Sequence, residues 1–435
     1  MVLRKRRGYT VATNVCRWVL ALVLIVSGFV KAVDPVGSMY KLQEYVDAFS
    51  LGVFSDEFLM LAAMLQAALE FLLGISLLMG IYRKFVTWFT PLVMLFFTVL
   101  TFVIYRGDMV ADCGCFGDAV TLSNGETFAK NVLLLLLSLV VFLGRRRLVY
   151  YISSKSRWMV TIFAIFYIAF AGIVSLSHLP VVDFSPYTVG GDLRALTEGV
   201  PGEYSVVEVY GRDSMQLEVA DGELPDSSWT YIESRPVLVK EPVLPVISDF
   251  AILDWEADLD VVPELLADSG YVCVVVIEDV GRASVSSVDK INELYDYCLD
   301  TDVPLIAATA SEDDAIELWR KRTGAEYPVL WTEEAVARKM IRANPGLVLI
   351  KDGVIAGKWN VADLPAVEVY SASDTGMPDG VDTLLGYVQG WRFWILLLVL
   401  PLLFIVVVDA LACRNDGKEG DGKQQPGNDT ETENI

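Results

Sequence analysis

The stretch EFLMLAAMLQAALEFLLGISLLMGIYRKFVTWFTPLVMLFFTVLTFVIY, residues 57–105, decides the fold class. It contains two apolar runs, each about as long as the roughly 20 residues that cross the hydrocarbon core of a bilayer. Only the short basic segment around Arg83 and Lys84 separates them. Two such runs joined by a tight turn predict a pair of antiparallel membrane-spanning helices. The fold class at this point in the chain is therefore an α-helical membrane bundle.

Further apolar runs lie on both sides of this pair. The same length criterion predicts six spans, at about 15–33, 57–81, 85–105, 128–143, 158–179 and 391–408. We expect the first four to form a membrane domain over residues 1–145. A fifth helix over 158–179 and a sixth over 391–409 complete the membrane part, and residues 410–435 form a disordered cytoplasmic tail. The lipid bilayer is thus one predicted partner.

The charges of the short loops predict how the helices are oriented. Residues 1–14, 82–84 and 144–157 together hold 11 basic residues and no acidic one, whereas the loops 34–56 and 106–127 are rich in Asp and Glu. Lys and Arg in short loops stay on the cytoplasmic side. We therefore predict a multi-pass protein of the bacterial inner membrane, with both termini cytoplasmic and residues 181–390 periplasmic.

The acidity of the chain is concentrated in that periplasmic region. The chain is 54% hydrophobic yet has a net charge of −22. Residues 181–390 hold 39 acidic and 14 basic residues, a net charge of −25, while residues 1–180 have a net charge of +6. A nucleic-acid partner is excluded, because binding to phosphates needs a basic surface.

Two water-exposed segments are predicted within the acidic region. Residues 181–243 form a linker and a small β-rich segment, with strands at about 204–210, 216–219, 229–233 and 236–239. Residues 244–370 alternate strands and helices, with strands at 271–278, 303–309, 347–351 and 354–359 and helices at 288–299, 312–323 and 333–341. Such alternation predicts an α/β domain built on a sheet.

This second segment resembles the thioredoxin-like fold. The resemblance rests on the β-α-β-α-β-β order and on the run ANPGLVLIKDGVIAGKW, in which Pro345 stands where that family has a cis-proline. The catalytic Cys-x-x-Cys of the family should follow the strand at 271–278. Here residues 279–284 read DVGRAS, with no cysteine. We therefore predict a thioredoxin-like domain without thioredoxin chemistry, suited to docking or support.

Cys113 and Cys115 are the cysteines that point to chemistry. They lie in the loop ADCGCFGD, residues 111–118, which the charge pattern places outside. Two thiols separated by one glycine can close a small, strained disulfide ring, and strained exposed disulfides are labile and oxidising. A structural bridge and a Cu(I) site remain alternatives, because two sulfurs suit a soft metal. No His or Met cluster completes such a site, so no metal ligand is assigned.

The other four cysteines are Cys16, Cys273, Cys298 and Cys413. We interpret Cys16 and Cys413 as inert thiols near the cytoplasmic ends of their helices. Cys273 and Cys298 are interpreted as small buried hydrophobic residues, and a bridge between them in an oxidising compartment stays open.

Glu70 stands near the middle of the second predicted span. A carboxyl group at bilayer depth is costly and marks a functional hypothesis. One interpretation is a proton relay to a quinone. The alternative is a hydrogen bond inside the bundle, with Gln66 one turn earlier or with Arg17.

Residues 1–145 resemble the MauE/DoxX-like family of membrane proteins. The resemblance is carried by CGCFGD after the third span, by FAKNVL at 128–133, by Arg17, by SGFVK at 27–31 followed by Asp34-Pro35, and by Glu70 and Gly74. It implies methylamine utilisation as the family label for MauE, and quinone-linked redox chemistry from DoxX relatives. The longer architecture is similar to DoxX-like proteins that append an outside thioredoxin-like domain.

The resulting hypothesis is a membrane thiol–disulfide redox protein. Cys113 and Cys115 would take electrons from an extracytoplasmic protein partner, with Glu70 as a further catalytic residue and a quinone as the candidate cofactor. The candidate enzyme class is a thiol–quinone oxidoreductase. The alternatives are a non-enzymatic scaffold or maturation factor with a structural Cys-x-Cys loop, and a Cu(I)-handling membrane protein.

Overall fold

The computed structural model describes residues 2–107, 109–110, 114, 117–120, 122–199, 202–212, 215–220, 228–240, 242, 244–371, 376–377 and 390–421. These residues form two compact units, which we describe separately. The membrane unit comprises the described parts of 1–185 and 381–435, and the α/β unit comprises those of 186–380.

The membrane unit is helical. Its helices, numbered in chain order across both units, are α1 (Val2–Val33), α2 (Pro35–Ala48), α3 (Asp56–Met79), α4 (Arg83–Gly107), α5 (Asn124–Leu143), α6 (Arg157–Ser177) and α13 (Trp391–Asp421). Among the described residues, six of these are long and apolar enough to cross a membrane: α1 from Thr10 onward, α3, α4, α5, α6, and α13 as far as Cys413. The six spans predicted from the sequence each coincide with one of them. The protein is a multi-pass membrane protein in a lipid bilayer.

Helix α2 lies where the sequence predicts a loop. The Asp34 carboxylate caps it by accepting a hydrogen bond from the Gly37 amide at 2.9 Å, and Pro35 occupies the first turn, where its missing N–H costs nothing. With 14 residues, α2 is too short to cross a membrane. It follows the first span directly and helps to enclose the site described below.

Helices α1 and α3 pack with their backbones very close together, because glycine faces the partner helix at two points. A Cβ atom at Gly28 would lie 2.6 Å from the Ala67 carbonyl oxygen, and one at Gly74 would lie 2.9 Å from the Ala21 carbonyl oxygen. Small residues at such contacts are the usual means of close helix packing in membranes. Glu70 lies in α3 between these two contacts.

The α/β unit contains two sheets. Its strands are β1 (Glu203–Arg212), β2 (Met215–Ala220), β3 (Thr230–Lys240), β4 (Ile252–Asp254), β5 (Leu259–Asp260), β6 (Tyr271–Ile277), β7 (Leu305–Thr309), β8 (Val329–Thr332), β9 (Gly346–Lys351) and β10 (Val354–Asn360). Its helices are α7 (Leu193–Thr197), α8 (Val262–Ala267), α9 (Val288–Thr301), α10 (Asp313–Thr323), α11 (Glu334–Met340) and α12 (Val367–Ser371).

The small sheet is antiparallel, in the order β2-β1-β3. The sequence predicts two strands, 229–233 and 236–239, where the structure has the single strand β3. Pro236 pairs opposite Val206 without ending the strand. This is possible because β3 lies at the edge of the sheet, where a residue without an N–H group is tolerated.

The larger sheet has the order β10-β9-β6-β7-β8-β4-β5. Strands β6, β7 and β8 are parallel, and β9 and β10 run antiparallel to their neighbours. The predicted strands and helices of 271–360 are all present, within two residues at each end. The structure also contains three strands that the sequence did not predict. They are β8, between α10 and α11, and the short strands β4 and β5. The likeness to the thioredoxin fold therefore stays a prediction.

Three details of this sheet follow from the sequence. From Val272 to Ile277, strand β6 is at most 1% exposed, as its continuous β-branched run indicates. The Asn344–Pro345 peptide bond before β9 is cis. Asp352 and Gly353 both have positive φ at the β9–β10 turn, which is the geometry that an Asp-Gly hairpin turn requires.

Residues 187–197, which the sequence places in a linker, pack against the end of this sheet. The Leu193 amide donates to the Gly353 carbonyl oxygen at 2.9 Å, and Lys358 Nζ donates to the Tyr187 carbonyl oxygen at 3.0 Å. The Tyr187 ring is 1% exposed, and burial raises the pKa of its hydroxyl. This segment is part of the α/β unit.

Candidate functional site in the membrane unit

Glu70 lies on α3 and is 2% exposed, at the contact between α1 and α3. Its Oε2 atom accepts hydrogen bonds from the Ser27 hydroxyl at 2.6 Å and from Lys31 Nζ at 2.9 Å. Its Oε1 atom accepts from Gln66 Nε2 at 3.2 Å. The buried carboxyl group is thus surrounded by donors from two helices.

Ser27 and Lys31 reach Glu70 together because they are four residues apart on α1 and so lie on one face of the helix. Lys31 Nζ also donates to Ser27 Oγ at 2.8 Å, which closes a three-residue cluster. Gly28, one residue after Ser27, allows α3 to approach closely enough for these contacts. The stretch SGFVK, used above only as a family signature, therefore supplies both partners that α1 offers to Glu70.

The predicted partner Gln66 is confirmed, and the predicted partner Arg17 is wrong. Arg17 is fully buried but donates to the Val149 carbonyl oxygen at 2.6 Å, and its guanidinium lies 5.5 Å from the Tyr151 ring centre. The reason is position along the helix. Arg17 and Lys31 are 14 residues apart on α1, or about 21 Å at 1.5 Å per residue, so both cannot meet one residue of α3.

A cavity of about 350 Å³ opens beside this cluster, and most of its wall is apolar. Its polar lining includes Ser27, Lys31, Gln66, Glu70, Thr101 and Asn131. Asn131 Nδ2 donates to the Thr101 hydroxyl at 3.3 Å on the wall formed by α4 and α5. The cavity is therefore a largely apolar space inside the bundle with four charged residues in its wall, Lys31, Lys41, Glu70 and Lys130. Such spaces are typical of small-molecule sites.

Gly114, the residue between the two loop cysteines, also lines this cavity. Its φ is +53°, and a Cβ atom there would lie 2.9 Å from Lys41 Cγ on α2. The Gly117 amide donates to the Gly114 carbonyl oxygen at 3.0 Å. Cys113 and Cys115 themselves lie outside the described residues. Their covalent neighbour Gly114 brings the middle of the CGC stretch to the cavity wall.

The four described cysteines are free. Cys273 Sγ and Cys298 Sγ lie 3.9 Å apart and form a hydrogen bond inside the core of the α/β unit, where both residues are at most 1% exposed. The hydrogen bond with Cys298 and burial raise the pKa of the Cys273 thiol. Within the described part of the chain, no group of three or more His, Cys, Asp or Glu side chains could hold a metal ion.

The loop at 279–284, where a thioredoxin would carry its cysteines, is held by polar contacts. The Ser284 amide donates to the Asn344 carbonyl oxygen at 3.0 Å, and Asn344 Nδ2 donates to the Asp279 carbonyl oxygen at 2.9 Å. Arg282 forms ion pairs with Asp279 at 2.8 Å and Glu278 at 3.2 Å. The loop therefore packs beside the cis-proline without any thiol of its own.

Together these features define a multi-pass membrane protein with a buried ion pair beside an apolar cavity in its N-terminal helix bundle. Comparison with protein families agrees: residues 9–144 match the family described as methylamine utilisation protein MauE. That range runs from α1 to the end of α5 and includes Lys31, Glu70 and Gly114. This part of the chain is thus similar to the MauE family. No curated protein matches the chain at a significant level.

Proposed function

We propose that the chain is a membrane thiol–disulfide redox protein that oxidises or helps to mature extracytoplasmic partners. Cys113 and Cys115 would accept electrons from a partner dithiol, and a quinone would receive them in the cavity beside Glu70. The observation that carries the proposal is the position of Gly114. It separates the two cysteines in the chain, and it lines the same cavity as Lys31 and Glu70.

The electrons balance without any further reagent. A partner dithiol exchanges with a Cys113–Cys115 disulfide, so the partner gains a disulfide and the loop becomes a dithiol. Closing the loop disulfide again releases two electrons and two protons. A quinone would accept both and become a quinol. The proposal therefore needs a proton-conducting group close to the loop.

The residues present fit a quinone. A volume of about 350 Å³ lies within the range of small-ligand sites, and the largely apolar wall suits a ring with an isoprenoid tail. The Gln66 amide carries two N–H groups and donates to Glu70, so it keeps donor capacity for a carbonyl oxygen. Glu70 would exchange protons through its contacts with Ser27 and Lys31.

The rest of the chain supports such a role through its predicted arrangement. The loop charges predict a periplasmic position for the CGC stretch and the α/β unit, and disulfides persist in that compartment. The α/β unit, thioredoxin-like but with no cysteine at 279–284, would hold the protein partner. The family label implies that methylamine utilisation is one process that such a maturation activity serves.

The test is to follow the thiols of the purified full-length chain in liposomes. The protein is reduced, the reductant is removed, and a short-chain ubiquinone is added under argon. Thiols are then counted by alkylation and intact mass. We expect quinone to remove two thiols per chain in the wild type and none in the Cys113→Ser/Cys115→Ser variant.

A matched pair of variants separates the ion-pair site from general effects of charge. Glu70→Gln should slow thiol loss by about tenfold or more, as expected for removal of a proton-transfer group. Glu57→Gln changes an exposed carboxylate on the same helix and should leave the rate unchanged. Retention of both thiols in the presence of quinone, or equal loss without it, would contradict the proposal and favour a structural Cys-x-Cys loop.

A further inference from the structure

A second cavity lies at the other end of the membrane unit, and the proposed redox function does not use it. It has a volume of about 620 Å³ and is formed by the α3–α4 turn and the segment before α6. Arg83, Lys84 and Arg157 line it together with Tyr82, Tyr150 and Ser154, and none of its lining residues within the described ranges is acidic. This composition is that of an anion site.

The basic side chains of this cavity are held in place by aromatic rings. The Arg83 guanidinium lies 5.1 Å from the centre of the Tyr150 ring, and that of Arg157 lies 5.6 Å from the centre of the Tyr82 ring. Arg157 Nε also donates to the Ser154 carbonyl oxygen at 3.2 Å. Rings and carbonyl groups orient a guanidinium without neutralising it, so the positive charge remains available.

A further positive charge lies behind the cavity wall. A Cβ atom at Gly80, which lines the cavity, would be 3.2 Å from Arg17 Nη1. Arg17 is fully buried, and its Nε and Nη2 atoms have no hydrogen-bond partner among the described residues. One carboxylate touches the wall: Asp409 accepts from the Ser153 amide at 2.8 Å and from its hydroxyl at 2.5 Å. Three cations thus line the cavity and a fourth lies behind its wall, and the carboxylate near the wall is already engaged by Ser153.

The position of the cavity indicates what kind of anion it takes. Helices α4 and α6 both begin here, at Arg83 and Arg157, and their N-termini add partial positive charge. Both helices are long enough to cross a bilayer, so their first residues lie at the depth of lipid headgroups. Phe85 lines the cavity and is 60% exposed, which offers an apolar surface to an acyl chain.

We propose that this cavity binds the phosphate group of an anionic phospholipid. Arg83 and Arg157 would contact the phosphate oxygens, Lys84 would add long-range attraction, and Phe85 would contact the acyl chain. Basic pockets between membrane helices are known to recognise lipid headgroups in this way. An anionic phospholipid and inorganic phosphate both carry the phosphate group that the arginines would bind. The experiment therefore tests both ligands separately.

The experiment is native mass spectrometry of the full-length chain released from detergent. It is titrated with phosphatidylglycerol, with phosphatidylcholine of the same acyl chains, and with inorganic phosphate. We expect phosphatidylglycerol to bind at least tenfold more tightly than phosphatidylcholine, and inorganic phosphate not to compete. Arg83→Gln/Arg157→Gln should weaken phosphatidylglycerol binding by about thirtyfold, which corresponds to the loss of two charges near the membrane surface.

Two control variants keep the test decisive. Arg145→Gln/Arg146→Gln removes two exposed charges from the same basic loop region but outside the cavity, and it should leave binding unchanged. Arg83→Lys/Arg157→Lys keeps the charge and should retain most of the binding, which separates charge from misfolding. Equal loss in the two Gln variants, equal binding of both lipids, or competition by inorganic phosphate would overturn the proposal.

Discussion

The Lys31 ammonium group lies 2.9 Å from Glu70 Oε2, across the contact between α1 and α3, and the two side chains are only 8% and 3% exposed. Removing one partner of a buried ion pair leaves the other charge uncompensated in a medium of low dielectric constant. The pair is therefore both a structural constraint on the bundle and the charged part of the proposed site.

Replacing Lys31 by Met should destabilise the protein more than replacing both partners. We expect Lys31→Met to lower the free energy of unfolding by about 3–5 kcal/mol, because Glu70 is left buried without its cation. Thermal unfolding of the full-length chain in detergent, followed by circular dichroism, measures the effect. Lys31→Met/Glu70→Gln should be more stable than Lys31→Met alone. A double variant no more stable than Lys31→Met would show that charge compensation is not the cause.

The close approach of α1 and α3 at Gly28 gives a second prediction. Gly28→Ala should lower the free energy of unfolding by about 1–3 kcal/mol, because its Cβ would overlap the backbone at Ala67 and Phe71. Gly172→Ala is the matched control. Its Cβ would meet the flexible end of the Met64 side chain, which can move away. Equal losses of stability in the two variants would mean that backbone contact at Gly28 does not determine the packing.

The sequence predicted the membrane helices well and the partners of Glu70 only in part, for physical reasons. Length and hydropathy suffice to identify a span. Which residues of two helices meet depends on how deep each lies in the bundle. Gln66 was one of the two partners considered, whereas Lys31 was not considered and Arg17 lies about 21 Å away along α1. Helix α2 was missed because Pro35 and Gly37 suggest a loop. Strand β8 was missed because four residues between two helices carry too little pattern.

Substitution of Gly114 should disturb the loop and the proposed redox activity together. Gly114→Ala would place a side chain at a φ of +53° and 2.9 Å from Lys41 Cγ. The strain should cost about 1–2 kcal/mol and slow quinone-dependent thiol loss. Gly52→Ala is the control, since its φ is +97° but no atom lies within 4 Å. If both variants oxidise at the wild-type rate, the conformation of Gly114 does not matter for the reaction.

The Cys273 thiol should make the stability of the α/β unit depend on pH in alkaline solution. Its pKa in the folded protein is raised by the Cys298 contact and by burial. A group whose pKa is raised on folding stabilises the protein fully below its unfolded pKa, about 8.5 for cysteine, and this contribution is lost as the pH rises. The Cys298 thiol, whose pKa the same hydrogen bond lowers, offsets part of this loss. Between pH 8.5 and 9.5 the free energy of unfolding should therefore fall, by less than about 1 kcal/mol.

Pulse proteolysis of the reduced full-length chain in urea measures this slope, because cleavage within the α/β unit reports its unfolded fraction. Cys273→Ala should remove most of the decrease, whereas Cys413→Ala changes an exposed thiol of the membrane unit and should not alter it. Tyrosines such as Tyr327, whose pKa is also raised by burial, contribute only a small part of the decrease in this window, because their unfolded pKa is about 10. An undiminished decrease in Cys273→Ala would assign the pH dependence to another group.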